Sequence, residues 1–131
     1  MEFTQGVRFD SLELSPEILR AVEQRRIEVS TPVQAGCIPP MMRWQDVIAK
    51  APTGTGKTFA YGIPIIEHID PEDESVQAVV LAPTRELAIQ ITEEFRDLAA
   101  FKAGVRTVCL YGGAPIGRQI DTLKKHPQIV V

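Results

Sequence analysis

Eight residues, Ala51-Pro52-Thr53-Gly54-Thr55-Gly56-Lys57-Thr58, restrict the fold of this chain more than any other stretch. Before them, Asp46 to Ala51 reads as a strand with Val47 and Ile48 at its centre; after them, a helix-length stretch runs from Gly56 to about His68. A glycine loop between a strand and a helix suits phosphate oxygens, which need several convergent N–H donors and a compensating positive charge. Glycines at 54 and 56 let the backbone curl and approach closely. Lys57 can reach β- and γ-phosphates, and the Thr58 hydroxyl can bind Mg²⁺. The segment departs from G-x-x-x-x-G-K-[ST] only at its first position, where Ala51 stands for Gly. A glycine-rich turn that binds nothing is the plain alternative.

The rest of the chain repeats the strand–helix alternation. Ser15-Pro16-Glu17 is a helix start, and Ile18, Leu19 and Val22 fall on one face of a helix to about Arg25. Thr31-Pro32 opens a short helix that Pro39-Pro40 is expected to stop. Val76 to Ala82 is a near-continuous apolar run, as expected of a strand buried on both faces. Leu87, Ile91, Phe95 and Leu98 form one stripe along a helix between Thr84 and Phe101. Val105 to Leu110 reads as a strand ending at Gly112-Gly113. Pro115 opens another helix with Ile116, Ile120 and Leu123 on one side, and Gln128 to Val131 begins a further strand. This spacing implies α/β architecture, a parallel sheet with helices on both faces. The pattern breaks off as its last strand starts, so the chain reads as a truncated phosphate-loop NTPase domain.

At 131 residues and 44% hydrophobic, there is material for one core and one domain. No apolar run approaches membrane-spanning length, and Met1 to Arg8 lacks the pattern of a secretion signal. Cys37 and Cys109 are far apart and read as buried free thiols; a cytoplasmic location is the expectation. A net charge of −3 argues against a dedicated electrostatic binder of nucleic acid. It leaves room for a backbone grip made by a few helix N-termini and placed side chains. Asp70 to Glu74 reads as a solvated acidic loop. Trp44, His68 and His126 read as packing or surface residues.

The Ala-x-Thr-Gly-x-Gly-Lys-Thr form of the loop resembles that of DEAD-box helicases, and three more segments agree in order and spacing. Phe9 followed by Arg26-Ile27-Glu28-Val29-Ser30-Thr31-Pro32-Val33-Gln34 is similar to the family's Q motif and its upstream aromatic. Pro83-Thr84-Arg85-Glu86-Leu87-Ala88 resembles its PTRELA segment at every residue, and Tyr111-Gly112-Gly113 resembles its GG motif. The resemblance spans Phe9 to Gly113. It implies a RecA-like domain that binds ATP and Mg²⁺ through Thr53, Gly54, Thr55, Gly56, Lys57 and Thr58, with Lys57 and Thr58 contributing to catalysis and Thr58 holding the metal.

The same resemblance implies that Gln34 reads adenine through its amide while Ile27 covers the base. The family usually has Gly-Phe where this chain has Arg26-Ile27, so an aliphatic side chain replaces a stacking ring. It also usually has Pro-Thr where Ser30-Thr31 stand. From the residues alone, Thr31-x-x-Gln34 is equally a capping box. Pro83, Thr84 and Arg85, with Gly112 and Gly113, are implied to contact an RNA backbone. Without the resemblance, Thr84 is a helix cap, Arg85 a surface charge and the glycine pair a turn.

The family's Asp-Glu-Ala-Asp acids, its Ser-Ala-Thr motif and its second helicase domain have no counterpart in residues 1–131. The expectation is thus a partial N-terminal RecA-like domain, with a Q-motif lead-in at 1–45 and a strand–helix core at 46–131. Its parent would be an ATP-dependent RNA helicase that opens short duplexes. This piece would bind nucleotide without hydrolysing it; the parent would contact RNA backbone, and the piece would meet the missing second domain or associate with itself. A DNA helicase or translocase of the same superfamily, a phosphate-loop kinase and a non-catalytic nucleotide-binding module are the alternatives. The kinase would lack the PTRELA segment.

Overall fold

A computed structural model describes residues 5–131, which divide into two compact units, one ending at His68 and the other running from Ile69 to Val131. The first unit is helical. A single 3₁₀ turn at Phe9–Ser11 precedes α1 (Pro16–Gln24), α2 (Pro32–Met42) and α3 (Lys57–His68). The starts of α1 and α2 are locally encoded. Ser15 accepts from the Ile18 N–H at the head of α1, with Pro16 at the first helical position. Ser15 also donates its hydroxyl to Glu67 (2.5 Å), and its N–H goes to the same carboxylate (2.9 Å), which ties the start of α1 to the end of α3. Helices α2 and α3 pack together. Ile18, Val22, Ile38, Ile63 and Ile66 are buried within this unit.

Pro39 and Pro40 do not stop α2, contrary to expectation; the helix runs on to Met42. A proline restricts the residue before it and deletes its own N–H, but it leaves the following residues free to stay helical. Here the two prolines occupy the last turn, and the chain closes two residues later with the Arg43 N–H on the Pro40 carbonyl (3.1 Å).

In the second unit the order is β1 (Ala78–Val79), α4 (Arg85–Leu98), β2 (Thr107–Val108), α5 (Ile116–Leu123) and β3 (Ile129–Val130). The three strands form a parallel sheet in the order β1-β3-β2, with Ala78 and Thr107 both in register with Ile129. Ile129 at the centre is fully buried, as are Phe95 and Leu98 on the stripe of α4. Beside them Gln128 is a buried polar residue with its amide satisfied. It accepts from the Arg106 N–H (2.8 Å) and donates to the Gly104 carbonyl (2.7 Å).

Two expectations fail in the sheet. Asp46 to Ala51 forms no strand, and Ile48 is fully exposed. A strand exists only where a neighbour completes its ladder, and no described strand pairs with this segment. Val76 to Ala82 is not buried on both faces either: β1 is an edge strand, and Val79 and Leu81 are 64% and 90% exposed. The stripe of Ile116, Ile120 and Leu123 lies on α5 as the periodicity predicts, but it too is exposed.

Candidate functional site

The loop from Thr53 to Thr58 lies at the N-terminus of α3. The Ala60 N–H closes the first helical bond on the Gly56 carbonyl (3.2 Å), so the N–H groups of the first turn are left for an external acceptor. Gly54 and Gly56 take left-handed conformations at φ 84° and 76°. Thr55 donates its hydroxyl to the Pro52 carbonyl (2.6 Å), which closes the turn from inside. Exposed Lys57 and half-buried Thr58 are the first two residues of the helix. Such an N-terminus, with converging N–H groups, a positive dipole end and an ammonium, suits a polyphosphate. The hydroxyl of Thr58 is chemically suited to a nucleotide-bound Mg²⁺. Among the described residues no group of three His, Cys, Asp or Glu side chains could hold a metal by itself.

Gln34 is where two parts of this unit meet. Thr31 and Gln34 form the full capping box: the Gln34 N–H reaches Thr31 Oγ1 (3.4 Å), and the Thr31 N–H reaches Gln34 Oε1 (2.9 Å). The other end of the amide, Nε2, donates to the Gly56 carbonyl (3.1 Å). The buried side chain thus braces the glycine loop from a helix 22 residues away. Gly56 is glycine for two reasons, since a Cβ there would both strain the positive φ and collide with the Gln34 amide. An amide has two N–H donors and two acceptor lone pairs, so one of each remains after these bonds.

Ile27 and Phe9 come together, both lining a cavity of about 270 Å³ with Leu19, Val22 and Glu28; Gln34 does not line it. The Phe9 N–H bonds to the Glu28 carbonyl (3.1 Å), which holds the aromatic against the segment it precedes. Arg26, where the resemblance has Gly, adopts φ 57° just beyond the C-cap of α1. Lys57 lines a second cavity, about 260 Å³, with Val33, Cys37, Met41 and Tyr61. Cys37 is buried, and that burial pushes its thiol up, away from reactive thiolate; Cys109 is only half-buried. The Arg25 guanidinium lies 5.0 Å from the Phe59 ring centroid, in the first turn of α3.

In the second unit Thr84 caps α4 by accepting from the Leu87 N–H (3.2 Å), as the bare sequence reading had it. Arg85 is exposed, with its guanidinium 5.9 Å from the Tyr111 ring centroid and 3.4 Å from where a Cβ of Gly113 would stand. Residues 83–85 and 111–113 therefore meet on one surface. Gly113 has φ 89°, and a Cβ at Gly112 would meet nothing within 4 Å. Gln119 escaped the sequence reading. It accepts from the Tyr111 N–H (3.0 Å) and donates to the Ala114 carbonyl (3.2 Å), bracketing the glycine pair. Only its spacing of eight residues from Tyr111 could have flagged it. Trp44 and His68 stack at 3.7 Å between centroids, and His68 Nε2 lies 2.9 Å from the Met41 carbonyl oxygen.

Residues 31–131 match the DEAD/DEAH box helicase family. The chain belongs to that family. It is 50% identical to the DEAD-box ATP-dependent RNA helicase CshA of Geobacillus kaustophilus, covering 94% of this chain and 26% of that protein. A CshA of Limosilactobacillus reuteri is 49% identical, over 95% of this chain and 25% of its own length. The chain thus spans about a quarter of these curated relatives. Among solved structures, a DEAD box protein from Methanococcus jannaschii superposes with a TM-score of 0.88 at 37% identity, over 95% of this chain and 34% of that one. A hypothetical ATP-dependent RNA helicase from Sulfolobus tokodaii gives 0.79 at 33% identity, over 90% of this chain and 33% of that one. The parallel sheet with its helices is part of the RecA-like domain of DEAD-box proteins.

Proposed function

We propose that this chain is the nucleotide-binding part of an ATP-dependent RNA helicase that opens short duplexes. The single observation that carries the reading is the glycine loop at the head of α3, with Lys57 and Thr58 as the first helical residues. In this reading residues 1–131 are one stretch of an N-terminal RecA-like domain. Thr53 to Thr58 hold the phosphates, and Lys57 offsets charge on the terminal phosphate. Thr58 takes Mg²⁺ through the nucleotide, and the metal supplies charge neutralisation at the phosphates. Gln34 reads the adenine edge with its remaining N–H and lone pair, and Ile27 covers the base. Pro83, Thr84 and Arg85 grip an RNA phosphate beside the bare backbone of Gly112-Gly113. The adjacency of Arg85, Tyr111 and Gly113 supports that grip.

None of residues 1–131 is assigned the carboxylate that orients water or the arginine that meets the transition state, so by itself this stretch binds ATP without turning it over. Among the described residues no helix is long and apolar enough to cross a membrane, and a cytoplasmic location belongs to the same reading. Titration calorimetry with ATP and Mg²⁺ tests it. Lys57→Ala should lose charge-assisted contacts worth roughly 1.5–3 kcal/mol, at least a tenfold loss of affinity. Equal affinity in a folded variant would overturn the phosphate assignment. Competition with GTP tests the adenine preference in wild type and in Gln34→Ala.

A further inference from the structure

Residues 6–9 run antiparallel to residues 28–30, with Arg8 opposite Val29. The Phe9 N–H reaches the Glu28 carbonyl (3.1 Å), and the Ser30 N–H reaches the Val7 carbonyl (2.7 Å). A third bond is particular to a hydroxyl residue: the Val7 N–H donates to Ser30 Oγ (3.0 Å). Val7 and Ser30 thus clasp each other reciprocally, and Ser30 is buried at 4% exposure. A proline, usual at this position in the family, has neither N–H nor hydroxyl and can make neither bond. On the opposite strand Gly6 permits the approach, because a Cβ there would collide with the Ser30 carbonyl.

The clasp is the first link of a chain that ends at the phosphate loop. Ser30 leads directly into Thr31, whose N–H bonds to Gln34 Oε1 (2.9 Å), and Gln34 Nε2 bonds to the Gly56 carbonyl (3.1 Å). The backbone at Ser30 sets where the Thr31 N–H points. That N–H holds one end of the Gln34 amide, and so sets which way the remaining N–H and lone pair face. We propose that Ser30 is a positioning residue for base recognition: its clasp to Val7 holds the Gln34 amide in the orientation that tells adenine from guanine. Every member of this contiguous network lies in the first unit. The inference rests on the reading of Gln34 given above.

Competition of ATP against GTP on the 131-residue chain tests it, together with amide exchange on the ligand-free protein. Ser30→Ala removes the hydroxyl alone, and Ser30→Pro removes both bonds. Gly6→Ala pushes the first strand away without touching Ser30 or Gln34. The preference for ATP over GTP should fall roughly fivefold in Ser30→Pro and by less in Ser30→Ala. Gly6→Ala should resemble Ser30→Pro. Exchange of the Thr31 N–H should quicken in all three. Lower melting temperatures with an unchanged ATP-to-GTP ratio, or unchanged exchange at Thr31, would overturn the proposal and leave the Gln34 reading intact. A wild-type chain that ignores the base would overturn both.

Discussion

Two glycine loops in this molecule are braced by the same device, and the difference between them is instructive. At Gly56 and again at Tyr111–Ala114, one glutamine amide spends its oxygen on one backbone N–H and its nitrogen on one backbone carbonyl. Gln34 is buried and reaches from α2 to a loop far away in sequence, so it couples a helix start to the head of another helix. Gln119 is half-buried and reaches back only a few residues, so it fixes a local turn. Burial raises what each bond is worth, because a stranded partner cannot turn to water. The first brace belongs to the packing of its unit; the second shapes a surface.

The sharpest way to break the comparison is Gly56→Ala. The positive φ and the collision with the Gln34 amide together should cost on the order of 3 kcal/mol in denaturant melts. Combining it with Gln34→Ala should cost less than the sum of the two single changes, because the collision disappears. A strictly additive double variant would show that the two residues do not meet. Gln34→Ala alone should lower stability by about 2 kcal/mol, since the Thr31 N–H and the Gly56 carbonyl both lose a buried partner. Gln119→Ala should cost about 1 kcal/mol at most, with amide exchange quickening at Tyr111 and nowhere in the first unit. Equal losses at the two glutamines would end the distinction between a packing brace and a surface brace.

The smallest effect has the opposite sign. Arg26 holds a left-handed conformation at φ 57° where the helicases it resembles usually have Gly. Arg26→Gly removes a steric cost of roughly 1 kcal/mol and adds unfolded-chain entropy, so a net gain of about 0.5 kcal/mol is expected. A melting temperature that falls would show that the Arg26 side chain contributes packing that outweighs its backbone.

These contrasts also mark what could be read from sequence. Helix starts were legible because their signals are local: Ser15-Pro16, Thr31-x-x-Gln34 and Thr84 each cap in the way their residues dictate. The helix after the glycine loop was legible because Gly-Lys-Thr opens it, although the strand expected before the loop did not form. Strands were the weak point. Val47-Ile48 and Ile129-Val130 have similar composition, yet only the second pair forms a strand, because ladder partners are decided by distant chain. The exposure of Val79 and Leu81 was hidden for the same reason. Gln119 was invisible because a lone glutamine on an exposed helix has no sequence context that distinguishes a brace from a surface amide.

The stack of Trp44 on His68 has an optical consequence. Trp44 is the chain's single tryptophan, and the imidazole it lies against is the last residue of α3. The opposite end of that helix is the phosphate loop, about 18 Å away at the rise of an α-helix. Intrinsic emission excited at the red edge therefore reports on the far end of the helix that begins at Lys57. A nucleotide that stiffens the head of α3 would announce itself as a change in indole brightness, with no dye attached.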